Sequence, residues 1–279
     1  MFRAADEPVL GPLGLRATED AVTWHAPSRI VLDGHEFSAP LHIPELSLIA
    51  QVFSVPLRAL GPVLEPAEVR PVEVLPGQGA VALMGVRYTD NPLGCYDEAV
   101  ISFPVYPPGQ APRALDRLLG GLDVLTQRAA HLVYAMPVSQ ELTTHAGRAL
   151  WGYPKFVAQL DYRQEGARAT LDFAHEGEPV FGLSAPLSER GRWDGLAFST
   201  LTRRNGVLRR IDLKAQASGV VMRPFGAVPT VGERHPLAQL LRSLGLPKRP
   251  LSTLSLRRAS LTLAAATELS GELSGERSA

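Results

Sequence analysis

The sequence predicts a mainly β protein, a closed antiparallel barrel-like or double-layer sheet with a few peripheral helices. Three observations lead there. First, 24 prolines and 25 glycines punctuate the 279 residues, and proline interrupts long helices by removing a backbone donor and clashing with the preceding turn. Second, strand-like runs, several alternating apolar with polar residues, recur along most of the chain. Third, helical periodicity is confined to four places. So many short strands are best satisfied by a closed or double-layered antiparallel sheet.

In chain order, the strand-like stretches are 28–38, 79–90, 97–107, 131–139, 155–164, 168–186, 208–222 and 254–266. The helical candidates are 55–64, 114–130, 139–150 and 235–246. In the third of these, Ser139 is placed to cap the helix start, and Gly152 with Pro154 can end it. Asn205-Gly206 between strand-like flanks is the preferred two-residue hairpin turn. The arginines around it, in RRNGVLRR, read as a solvated rim. Length allows one domain over 1–268, with 1–39 a divergent N-terminal part. The polar stretch 269–279 is too poor in apolar area to order itself.

Charge and composition narrow the function classes. Lysine plus arginine equals aspartate plus glutamate, for a formal net charge of zero. No basic stripe with interleaved aromatics is present, which argues against nucleic acid and for a small-molecule partner. The N-terminal twenty residues carry acids where a secretory signal needs a basic end, and no apolar run is long enough to cross a bilayer. A cytoplasmic protein with no membrane partner is expected. Cys95 is the only cysteine, so an internal disulfide or multi-thiolate site cannot form.

The seven histidines show no HxH or HExxH pairing; His35 and His42 alone could meet across a hairpin. No metal is expected. GxSxG, GxxxxGK[ST] and GxGxxG are all missing. What stands out is Lys155, because the chain contains only two other lysines, Lys214 and Lys248, and otherwise uses arginine. Arginine cannot lose its proton in a protein, whereas lysine can, and only the neutral amine attacks a carbonyl. Strict alternation puts Phe156, Ala158, Leu160 and Tyr162 on one strand face and Lys155, Val157, Gln159 and Asp161 on the other, more polar one. That pattern fits a solvated surface lysine. In a barrel, however, a polar strand face can line an internal cavity, where Trp151, Tyr153, Pro154, Phe156 and Val157 would help desolvate the amine and lower its pKa.

The segment AGRALWGYPKFVAQLDY, residues 146–162, resembles the active-site segment of the acetoacetate decarboxylase family, G-R-E-x-x-G-[YF]-P-K, whose lysine forms a Schiff base. A second segment, NPLGCYDEAVISFPV at 91–105, is similar to the family's L-G-x-Y-x-E strand, and weaker similarity runs from about residue 40 to about residue 268. The resemblance implies Lys155 as the nucleophile and Glu98 as the active-site carboxylate. It implies a substrate pocket including Arg148, Trp151, Tyr153, Phe156, Tyr96 and His145, with Arg148 better suited to bracing the helix end than to catalysis. It further implies decarboxylation of a small keto acid or ketone through a lysine imine, no cofactor, and a homo-oligomer. An aldolase or dehydratase using the same imine, or a non-catalytic binding homologue, are the alternatives.

Departures from the family pattern are specific. Phe156 stands where the decarboxylases have a second lysine, so the neighbouring cation by which acetoacetate decarboxylase activates its amine is lost and desolvation alone would lower the pKa. Ala149 replaces the motif glutamate, and Leu83 is the approximate match to another carboxylate. Neither Arg29 nor Arg58 stands in a context that matches a substrate-binding arginine.

Overall fold

The computed structural model describes residues 29–32, 34–110, 123 and 128–269. The strands are β1 (Arg29–Leu32), β2 (His35–Ser38), β3 (Leu41–Pro56), β4 (Arg70–Pro71), β5 (Gln78–Asp90), β6 (Tyr96–Tyr106), β7 (Ala130–Val138) and β8 (Lys155–Val157). They continue as β9 (Gln159–Glu165), β10 (Arg168–His175), β11 (Glu178–Pro186), β12 (Arg192–Arg204), β13 (Val207–Pro224), β14 (Thr230–Val231), β15 (Ser252–Leu263) and β16 (Thr267–Leu269). Helices α1 (Leu57–Leu64), α2 (Glu141–Trp151) and α3 (Pro236–Ser243) lie between them. The expected helix over 114–130 falls almost wholly outside the described residues, as does 270–279. Leu269 itself is ordered, paired with Leu208 at the end of β16.

Strands β6, β5, β3, β15, β13, β12 and β7 pair in that order, and β6 pairs back onto β7, closing a seven-stranded barrel among the described residues. Its pairs are antiparallel except β7 with β12, since an odd number of strands cannot close with antiparallel pairs alone. A four-stranded antiparallel sheet, β14-β11-β10-β9, forms a second layer. No helix among the described residues is long and apolar enough to cross a membrane.

Two cores follow from this layering. The outer faces of β3, β5 and β6, through Ile49, Phe53, Leu83 and Ile101, pack against Tyr162, Leu171 and Phe173 of the second sheet and against the apolar sides of α1 and α3. The other core lies inside the barrel and includes Ile43, Val86, Tyr96, Val133 and Leu213. Strand β6 is covered on both faces and is buried at every position, which explains its nearly continuous apolar reading. Strand β13 closes only the barrel on one face, so Ile211, Leu213, Ala215 and Ala217 are buried while Asp212, Lys214, Gln216 and Ser218 are exposed.

Two local expectations need correction. Helix α2 starts after Gln140 with no side-chain cap; Ser139 instead accepts a hydrogen bond from the Asp97 N–H at 2.9 Å, because β6 and β7 run side by side there. Asn205 and Gly206 do form the hairpin turn, both at positive φ. Its arginines are not all a solvated rim: Arg209 is 3% exposed and bonds Glu268 at 3.0 Å, while Arg204 donates to the carbonyl of Arg148 at 2.7 Å. Arg204 thus ties the hairpin to the end of α2, adding a second donor to a carbonyl that the Gly152 N–H already bonds, while Arg209 donates to the Arg204 carbonyl.

Candidate active site

Helix α2 runs into Gly152, whose φ of +74° ends the helix in the left-handed conformation. Tyr153 and Pro154 then turn the chain into β8, which pairs in parallel with β7 so that Lys155 lies beside Met136. Strand β12 pairs with β7 only at His131 and Leu132. Beyond that point β8 takes over as the neighbour of β7, so Lys155 enters the barrel wall where β12 has left it. Arg148 secures this join by donating from Nε to the Lys155 carbonyl at 2.7 Å.

The Lys155 side chain lies directly on α2. A Cβ at Gly147 would sit 2.6 Å from Lys155 Cδ and 2.7 Å from Cε, so glycine is required for the amine to reach its place. Gly147→Ala should push the side chain aside with little change in fold, cutting turnover about tenfold to a hundredfold, because small misplacements of a reacting group are costly. Parallel activity and thermal unfolding measurements check this; normal activity in a normally folded variant would count against the contact.

Lys155 Nζ is 2.8 Å from Glu98 Oε2 and 3.1 Å from Thr143 Oγ1. The two side chains of the ion pair are only 6% and 5% exposed. The other carboxylate oxygen, Oε1, accepts from the Tyr88 hydroxyl at 3.1 Å. Tyr96 stacks on Tyr88 with ring centroids 4.4 Å apart, and Lys155 Nζ lies 5.3 Å from the Tyr96 ring centre. Burial raises the pKa of both phenols, so they remain neutral hydroxyls.

The sequence led to the expectation that desolvation would lower the lysine pKa. Burial does act in that direction, but the negative charge and hydrogen bond of Glu98, with Tyr96, outweigh it, and the net shift is upward. The resting pair is therefore ammonium and carboxylate. A proton passed along the 2.8 Å contact converts it into a neutral amine and a neutral acid, the forms needed for attack and for proton donation.

These groups open into a cavity of about 590 Å3 inside the barrel, lined by Tyr96, Glu98, Trp151, Tyr153 and Lys155 among many apolar side chains. In its wall Tyr153 bonds Thr200 at 2.7 Å, and Trp151 donates to the Ala264 carbonyl at 2.9 Å. Three residues placed in the pocket by resemblance are not among its lining. Arg148 braces the backbone, as described. His145 points away at the helix surface, 3.8 Å from Glu141. Phe156 alternates to the other side of β8 and packs edge-on to His175 with ring centres 5.0 Å apart.

Leu83 likewise faces the outer core; the cavity positions beside it are Ala82 and Met84, neither acidic. Arg29 pairs with Glu36 and Arg58 is exposed on α1, so neither reaches the cavity lining. His42 bonds Thr262 at 3.1 Å, and no cluster of three metal-ligating side chains occurs among the described residues.

Sequence reasoning missed Thr143, Gly147, Tyr88 and His131. The first two had a signal, since Thr143, Gly147 and Trp151 recur every fourth residue and so share one face of α2. His131 lines the cavity well along β7 from the lysine, 3.3 Å from Ser102, and burial lowers its pKa to about 4.

Its unfolded value is near 6.5, so between pH 6.5 and 4 the unfolded chain binds the extra proton. Stability from this group is complete above pH 6.5 and is lost as pH falls toward 4, by about 3 kcal/mol in total. Urea unfolding across that range should show the loss in the native protein and its removal in His131→Gln; identical pH slopes would contradict it.

Comparison with known proteins follows the same lines. The family model described as acetoacetate decarboxylase matches residues 22–225. A solved acetoacetate decarboxylase superposes with a TM-score of 0.58 at 16% identity, covering 85% of this chain and 92% of that one. The acetoacetate decarboxylase of Legionella pneumophila gives a TM-score of 0.59 at 13% identity, covering 97% and 100%. The enduracididine biosynthesis enzyme MppR, in a complex with pyruvate, gives 0.54 at 14% identity, covering 91% and 95%. At these identities the structural matches establish the fold. No curated protein matches the chain.

Proposed function

Because the chain belongs to the acetoacetate decarboxylase family, we propose that it is a Schiff-base-forming carbon–carbon lyase that decarboxylates a keto acid, with Lys155 as nucleophile and Glu98 as its proton partner. The observation that carries this reading is the buried contact of 2.8 Å between Lys155 Nζ and Glu98 Oε2, opening on a largely apolar cavity.

As a ketone approaches, Glu98 takes a proton from the ammonium and the freed amine adds to the carbonyl carbon. A second proton moves from the added nitrogen to the oxygen to give the carbinolamine, and Glu98 returns the first to that hydroxyl, which leaves as water and gives the iminium. The bond between the adjacent carbon and the substrate carboxylate then breaks, its electron pair moving into the iminium to form an enamine and carbon dioxide. Protonation at carbon and addition of water release the shortened ketone and restore the amine. Thr143, at 3.1 Å from the nitrogen, and Tyr88, on the far carboxylate oxygen, hold the pair in register through these transfers.

One observation favours a second reading. Among the described lining residues, Lys155 is the only lysine or arginine, so a substrate carboxylate finds no separate cation. Retro-aldol cleavage or dehydration of a neutral carbonyl compound would use the same iminium without needing one.

Assaying carbon dioxide from 3-oxo acids beside aldehyde from β-hydroxy ketones separates the two. Carbon dioxide release dependent on Lys155 supports the first reading, and aldehyde release alone transfers the proposal to the second. A lysine adduct with neither product would reduce the protein to a binder.

A further inference from the structure

The lysine and glutamate occupy only one end of a much longer chamber. On β6 the inward side chains after Glu98 are Val100, Ser102 and Pro104, so the lined wall continues for six residues, about 20 Å measured along the tilted strand. In the other direction the stacked, buried Tyr88 and Tyr96 line it. Its walls on the strands that follow β6 around the barrel are apolar: Ala82 and Met84 on β5, Ala50 and Val52 on β3, Leu254 and Leu256 on β15. Beyond them, Leu75 and Met222 line the cavity while being 45% and 54% exposed, which marks an opening.

Protein interiors are ordinarily filled to the density of organic crystals, so about 590 Å3 of lined space is not a packing remainder. It lies in the range of about 300–1,000 Å3 that takes ligands of drug size. Apolar chambers of this kind stay dry and accept apolar ligands. The polar groups along the tube beyond the lysine are sparse and uncharged at neutral pH: the hydroxyls of Thr200, Ser252 and Ser260, and Ser102 with His131, whose imidazole stays neutral down to about pH 4.

From this we infer that the substrate is a carbonyl compound with a long unbranched or sparsely polar hydrocarbon tail. Its reactive carbon is held at Lys155 and its tail runs along Val100 and Met84 toward the opening at Leu75 and Met222. The inference rests on the Schiff-base reading for the position of the head; the tail site stands on the shape and lining of the cavity. Tail burial is a uniform binding term, so it lowers the concentration of substrate needed, by about fourfold for each methylene added.

The test is a series of methyl ketones from butanone to tetradecan-2-one, trapped on the full-length protein with borohydride and read by intact mass. The matching secondary alcohols, which cannot form an imine, are run beside them by calorimetry. Half-saturation should fall by about fourfold per methylene in both series until the chain fills the tube. Ala82→Phe, which narrows the tube, should move that limit to shorter chains, with thermal unfolding as the check on its fold.

Alcohol affinity rising with length while no ketone is trapped would uphold the tail site and reject the imine reading. A flat profile in both series, or tightest binding of butanone, would overturn the inference. The wild-type series decides this even if Ala82→Phe fails to fold.

Discussion

Lys155→Arg forms no borohydride adduct with any ketone, and its turnover falls by about three orders of magnitude or more. The guanidinium keeps its proton at every accessible pH and cannot add to a carbonyl. It can still donate to Glu98, which is only 5% exposed, so the buried carboxylate keeps a partner. Lys155→Met, by contrast, leaves that carboxylate with the Tyr88 hydroxyl as its side-chain donor among the described residues, and breaking a buried pair from one side costs about 3–5 kcal/mol. Urea unfolding of both variants therefore separates loss of chemistry from loss of fold. Turnover unchanged in Lys155→Arg would reject the proposed nucleophile.

Glu98→Gln dissociates the two roles of the pair. The carboxylate is what outweighs burial and holds the lysine pKa up; an amide of the same shape removes that charge and leaves the desolvation, so the lysine pKa falls below its ordinary range. Adduct formation near neutral pH should consequently persist, and its pH midpoint should move downward. Turnover should nonetheless fall by about 10²–10⁴-fold, the usual cost of losing a positioned proton donor and acceptor. Trapping and product formation measured over one pH series check both halves. An upward shift of the trapping midpoint, or undiminished turnover, would contradict the role given to Glu98.

What was legible in the sequence was whatever depends on neighbours along the chain. Gly152 with Pro154 ends α2, and Asn205-Gly206 makes the hairpin, because each is a local demand on backbone dihedral angles. Strand β6 read clearly because both of its faces are covered.

Strands β3 and β12 were missed for a physical reason that they share: each carries a β-bulge. In β3 the register shifts between Glu45 and Leu46, so the cavity-facing residues are Leu41 and Ile43 before it and Leu46, Leu48 and Ala50 after it, and alternation changes phase in mid-strand. In β12 the shift lies between Asp194 and Leu196, at Gly195. Period-two reading fails at such points although the strand continues.

The site divided in the same way. The scarcity of lysine singled out residue 155, and the family resemblance paired it with Glu98, which lies 57 residues away and meets it at 2.8 Å in the structure. Phe156 could not be placed from the motif alone, since adjacency in sequence suggests a shared pocket while strand alternation sends the side chain to the opposite core. The direction of the lysine pKa was beyond reach for a further reason: it is a balance between burial and a charge brought in from another strand. Tyr88, cross-strand partner of Tyr96, is likewise revealed only by register.

The most direct measurement is peptide mapping of the wild-type protein after borohydride treatment with a saturating methyl ketone. The account predicts a single secondary amine per chain, located on Lys155, formed from the buried pair. No modified lysine, or modification of exposed Lys214 in place of Lys155, would contradict it.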